Sequence, residues 1–135
     1  MGGILADVNI EGHVGAVLRV LESAPWRELW LVLDVPVRDF RSFGLAANVP
    51  DAVLWHFCQR NETVLITANR NRHGADSLES TIRAHNTAMS LPVLTLANPD
   101  AVLADRFYAE RVASRLLDTL FDLDNLRGAG RLYLP

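Results

Sequence analysis

TVLITANRNRHGADSLESTIRAHNTAMSLPVLTL, residues 63–96, holds the alternation that decides the fold. Residues 63–67 form an apolar run bounded by polar residues, which predicts a buried strand. The polar run ANRNRHGAD follows as a loop, and Asp76 or Ser77 can cap a helix that runs to about His85, with Leu78, Ile82 and Thr81 facing inward. LPVLTL, residues 91–96, is a second buried strand.

Working outward, the same alternation continues. Residues 4–8 read as a strand that hands over to the polar tip Asp7-Val8-Asn9, and residues 11–21 carry Val14, Val17, Leu18 and Leu21 at helical spacing, with Asn9 or Glu11 available to cap the start. A short helix is predicted over 25–33, an edge strand over 35–40 and a loop over 42–50. Asp51 then opens a helix that presents Ala52, Val53, Leu54, Phe57 and Cys58 to the core and ends before Asn61. Beyond Leu96, Asn98-Pro99-Asp100 starts a brief helix, and residues 108–126 form a long amphipathic one ending at Gly128. The tail RLYLP reads equally as a short strand or as a segment docking on a partner chain.

Strands alternating with helices predict a three-layer α/β domain over residues 1–135, with a mostly parallel sheet of four to five strands covered on both faces. In such sheets polar groups at the carboxyl ends of the strands converge on one crevice. Asp7, Asn9, Asp51, Asn69 and Asn71 are therefore expected to be neighbours.

Composition sets the limits. Half of the 135 residues are hydrophobic and 21% are charged, as in an ordinary globular domain. No apolar run approaches the roughly 20 residues needed to cross a bilayer. The single cysteine, Cys58, cannot form an internal bridge, and the first residues lack the pattern of a secretory leader, so a reducing, cytoplasmic setting is expected. All 13 basic residues are arginine, a side chain suited to bidentate contacts with phosphate. With a net charge of −3, nucleic-acid binding would have to rest on a local arginine patch rather than on the overall field.

His13, His56, His73 and His85 are scattered along the chain without zinc-ligand spacing. Ser77 and Ser90 lack a glycine-flanked nucleophile elbow, and no phosphate-cradling glycine loop occurs. Trp26, Trp30 and Trp55 lie on apolar helix faces, where core or subunit contacts outweigh base stacking.

The order ILADVN (4–9), GLAANVPDAVL (44–54) and VLITANRNR (64–72) resembles that of the PIN-like domain family, compact and often toxin-like nucleases. Their pattern has a first strand closing on Leu-Asp-Glu-Asn, a helix beginning Asp-Glu-Glu-Ile, and a strand followed by Thr-Arg-Asp-x-Asp-Phe. The resemblance implies a ribonuclease-type hydrolase in which clustered carboxylates hold magnesium or manganese. Asp7 and Asp51 match family aspartates and become the expected catalytic residues and metal ligands, and Asn9 matches the family asparagine. Asn69 and Asn71 stand where the pattern has aspartates, and Arg72 replaces its aromatic.

Asn9, Asn69 and Asn71 are therefore expected in the polar surroundings of the metal, with Asp76 or Glu79 supplying further negative charge and Glu11 a local candidate. Arg70 and Arg72 would grip an RNA phosphate backbone or neutralise the two aspartates. The alternative is a catalytically inactive PIN-like module that binds RNA or a protein partner, or pairs as a homodimer through the tryptophan-bearing helix and the Leu132-Tyr133-Leu134 tail.

Overall fold

A computed structural model describes residues 1–135. The chain runs β1 (Gly3–Ala6), a 3-10 turn (Val8–Ile10), α1 (Glu11–Leu21), α2 (Arg27–Leu33), β2 (Val37–Arg38), α3 (Phe40–Phe43), α4 (Asp51–Arg60), β3 (Thr63–Thr67), α5 (Leu78–His85), β4 (Val93–Leu96), α6 (Pro99–Ala104), α7 (Arg106–Phe121), α8 (Leu123–Leu126) and β5 (Arg131–Leu134). The five strands form one sheet in the order β2-β1-β3-β4-β5. All four pairings are parallel. The predicted α/β architecture is thus observed, and the tail is its fifth strand.

Residue parity divides the core. Ile4, Ala6, Val64, Ile66, Leu94, Leu96 and Leu134 point toward α1, α6 and α7, where they meet Val14, Val17, Val112 and Leu116. Leu5, Leu65 and Val93 point the other way, toward Leu54, Trp55 and Cys58 of α4 and Leu78 and Ile82 of α5. A period of two that is apolar on both faces is the signature of a sheet covered twice. Because α5 and α7 lie on opposite faces while β3, β4 and β5 succeed one another in one direction, the last two crossovers have opposite hands. The connection to β5 is the one that departs from the common rule.

Local caps explain the helix starts. Ser77 accepts from the N–H of Ser80, Asn98 from Ala101, and Asp105 from Phe107 and Tyr108. Several boundaries differ from expectation for visible reasons. Neither Asn9 nor Glu11 caps α1, because Asp7 accepts from Val8 and a 3-10 turn intervenes. The helix expected from residue 25 starts at Arg27, after a turn closed by Ser23. The loop over 42–50 begins inside α3, which Asp39 and Ser42 close with a reciprocal capping box. Val53 is exposed and Trp55 takes the buried place on α4. The C-terminal helix breaks at Asp122, leaving Phe121 exposed. No helix is long and apolar enough to cross a membrane.

At the sheet edge, Ile4 donates its N–H to Pro36, and Gly3 has φ +124. A Cβ on Gly3 would overlap the Pro36 carbonyl oxygen. Gly3→Ala should therefore cost roughly 1–3 kcal/mol through backbone strain, with further loss from the overlap. Denaturant unfolding of the variant checks this, and an unchanged midpoint would contradict it.

Candidate functional site

The strand order reverses between β1 and β3, since the chain leaves β1 toward β2 on one side and returns to β3 on the other. Such a switch point opens a crevice at the carboxyl ends of its strands. Asp7 follows β1, and Thr67 is the last residue of β3. The Thr67 hydroxyl donates to Asp7 Oδ2 at 2.7 Å, while Asp7 Oδ1 accepts from the Val8 N–H at 2.8 Å.

Thr67 is fully buried, so its hydroxyl must be satisfied within the protein. Besides donating to Asp7, it accepts from the N–H of Asn69 at 2.9 Å. The Asn69 side chain then works in two directions. Its Oδ1 accepts from the Asn71 N–H at 2.9 Å, shaping the loop, and its Nδ2 donates to Asp51 Oδ2 at 3.0 Å. Asp51 Oδ2 also accepts from the N–H of Leu78, the first residue of α5, at 3.1 Å. The positive ends of α4 and α5 both favour a charged carboxylate there. Asp7 and Asp51, distant in sequence, are thus joined by an unbroken hydrogen-bonded chain through Thr67 and Asn69.

The remaining expected residues separate from this pair. Asn71 Oδ1 accepts from the His73 N–H at 3.1 Å, a turn-forming bond. Asn9, Arg72 and Asp76 are exposed. Glu11 lines a different groove, between α1 and β2, with Arg38 and Asp39. Arg70 donates to the Ala97 carbonyl at 2.6 Å and lies 5.2 Å from the centre of the Tyr133 ring. Glu79 accepts from Arg131 Nε at 3.2 Å, with Arg83 at 3.9 Å, and so neutralises arginine rather than adding charge beside Asp7. No three His, Cys, Asp or Glu side chains are grouped to hold a metal ion. A surface groove lined by Trp26, Phe107, Arg111 and Arg115 runs along α7, away from these residues.

Two contributors escaped the sequence reading. Thr67 was legible only as a strand end, although a threonine closing an otherwise apolar strand signals a hydroxyl held at the crevice. Arg131, in β5, has a side chain 6% exposed. Its Nη1 donates to the Asn69 carbonyl at 2.9 Å and to Thr95 Oγ1 at 2.6 Å, clamping the residue that reaches Asp51. Its Nη2 is buried without a partner.

Cys58 sits behind the pair. Burial first, and the negative charge of Asp7 second, push its thiol from 9.0 up to about 12. The fold therefore favours the neutral thiol, so this contribution is complete below the unfolded value of 9.0 and is lost as pH rises from there toward about 12. The slope is at most about 1.4 kcal/mol per pH unit. Stability measured between these limits should fall less steeply in Cys58→Ala than in the wild type, and equal slopes would count against the assignment.

In comparisons with family models, curated proteins and solved structures, nothing matched the chain.

The Asn69 amide donates to Asp51 Oδ2 at 3.0 Å. Asn69→Asp would replace that donor by a second carboxylate, and two such groups at hydrogen-bonding distance cannot both ionise cheaply. The variant should melt lower than the wild type at neutral pH, approach it as pH falls through the carboxylate range, and recover part of the deficit in millimolar manganese. A thermal-shift series over pH and manganese reads all three, and an unaltered melting temperature would refute the pairing.

Proposed function

We propose that this chain is a PIN-like ribonuclease-type module acting on single-stranded RNA at the crevice between β1 and β3. The observation that carries this reading is the convergence of Asp7 and Asp51 through Thr67 and Asn69. The donor set fits one hydrated magnesium or manganese ion, which commonly binds through one or two carboxylates and keeps several waters. It does not fit two such ions, because no third acidic side chain joins the pair. Such an ion, when bound, supplies charge to offset the developing phosphoryl oxygens and to acidify a water.

The chain's own groups have distinct tasks. Asp7 and Asp51 hold the negative charge, one at each end of the hydrogen-bonded chain. Thr67 fixes the Asp7 carboxylate, and Asn69 orients Asp51. Arg131 holds the Asn69 backbone in place from below. Arg72, exposed in the loop, supplies a phosphate contact, whereas Arg70 is engaged with Ala97 and Tyr133 and would have to release them to do so.

A second reading, a non-catalytic RNA-binding module, is favoured by one specific contact. The Asn69 amide already occupies one oxygen of Asp51 as a neutral donor, which a ligating carboxylate would have to give up. In the homodimer form of that reading Trp30 and Leu134 are taken up by the core, and the exposed Leu29, Leu31, Val32 and Tyr133 are what α2 and β5 would offer a second copy.

One experiment separates the two. Purified protein is incubated with a labelled single-stranded RNA in magnesium, manganese or chelator, and melted under the same conditions. The enzymatic reading expects cleavage that chelator stops and that Asp7→Asn or Asp51→Asn lowers by about 10²–10³, as for loss of a preorganised charge-stabilising group. It also expects a melting rise with manganese, since an ion at 100 times its dissociation constant contributes about 2.7 kcal/mol. RNA retention without cleavage and without metal stabilisation would select the non-catalytic module. Cleavage surviving in chelator would remove the proposed chemistry.

A further inference from the structure

Scattered in sequence, two histidines meet in space. His56 of α4 and the last residue of α5, His85, have ring centres 4.8 Å apart with planes at 71°. Trp55 completes the group, its ring 4.9 Å from His56 and 6.4 Å from His85. Trp55 is buried, His56 half-buried and His85 exposed, so the indole forms an inner wall and the imidazoles face outward. Neither imidazole takes part in a hydrogen bond to another side chain that would occupy its ring nitrogens.

The separation has a chemical meaning. With metal–nitrogen bonds of about 2.1 Å, each ring centre stands roughly 3.2 Å from the ion, so angles of about 90–110° at the metal place the centres roughly 4.5–5.2 Å apart. The observed 4.8 Å lies within that window. Imidazole is a preferred ligand of zinc, nickel and copper but a poor one for magnesium. We infer that His56 and His85 form a two-imidazole site for a transition-metal dication of this class, separate from the carboxylate pair and bridging α4 to α5.

No carboxylate or thiol joins the two rings, so water completes the coordination and the site is open rather than structural. An ion here would pin the end of α5 onto α4. These are the two helices whose first turns meet at Asp51, through its bond to the Leu78 N–H. Metal occupancy would thereby brace the frame of the carboxylate site without entering it.

The test uses the whole chain, stripped with chelator and titrated with nickel or zinc salts by calorimetry, with tryptophan fluorescence as a second readout because the Trp55 ring centre lies 4.9 Å from that of His56 and 6.4 Å from that of His85. In the Asp7→Asn chain, whose carboxylate pair no longer offers a second site, the expected result is one ion per chain, quenching by nickel, and release on acidification as protons compete for the imidazoles. His56→Gln and His85→Gln should each weaken binding by more than the roughly 10–100-fold typical of an outer-sphere change. Asp7→Asn should leave it unaltered, which keeps this result independent of the nuclease reading. The acid-release measurement needs no histidine variant, so a misfolded substitution there does not blunt the test. Absence of binding in the wild type at millimolar nickel overturns the inference, as does binding of unchanged affinity when His56→Gln/His85→Gln is added to Asp7→Asn, where the carboxylate pair no longer offers a second site.

Discussion

One buried hydroxyl organises the carboxyl edge of the sheet. Thr67 has no access to water, and its oxygen both donates to Asp7 and accepts from Asn69. A group in that position must form its bonds internally or cost on the order of 1–3 kcal/mol, which ties three separate pieces of chain to one geometry. The strand supplies the hydroxyl, the first strand's end supplies the carboxylate, and the loop that follows must fold back to present its N–H. From that return the Asn69 side chain reaches the start of α4.

Charge is distributed with equal economy. Asp7 and Asp51 each receive neutral donors and helix-end amides, while Glu79 is matched to Arg131. The two polar systems touch only through the Asn69 backbone, whose carbonyl Arg131 holds. A side chain that serves as turn former, carboxylate partner and anchor point at once leaves little freedom in the first residues of the loop. The segment that follows, from Arg70 to Asp76, is exposed to solvent.

Much of this was readable from the order of residues. Apolar runs alternating with helical spacing were sufficient for the parallel sheet and its two covers, because burial on both faces leaves that pattern directly in the sequence. The places of Asp7 after one strand and Asp51 at the head of a helix put both on the carboxyl edge of the sheet in expectation, whereas their link through Thr67 and Asn69 was not foreseen. What stayed hidden depended on contacts distant in sequence. The tail residues 131–134 carried no mark distinguishing strand from docking segment, so Arg131 could not be connected with Asn69 or Glu79. The short helix α3 was divided between the edge strand expected to end at Phe40 and the loop expected from Ser42, because four residues are too few to show a period. The approach of His56 to His85 depends on how α4 packs against α5, which no spacing along the chain encodes.

The clamp on Asn69 also imposes an order on synthesis. Arg131 follows Asn69 by 62 residues. At translation speeds of about 5–20 residues per second, a nascent chain therefore waits roughly 3–12 s between making the loop and making its anchor. Until Arg131 has been made the Asn69 carbonyl has no anchor, so this edge of the crevice is fixed only once the fifth strand has docked.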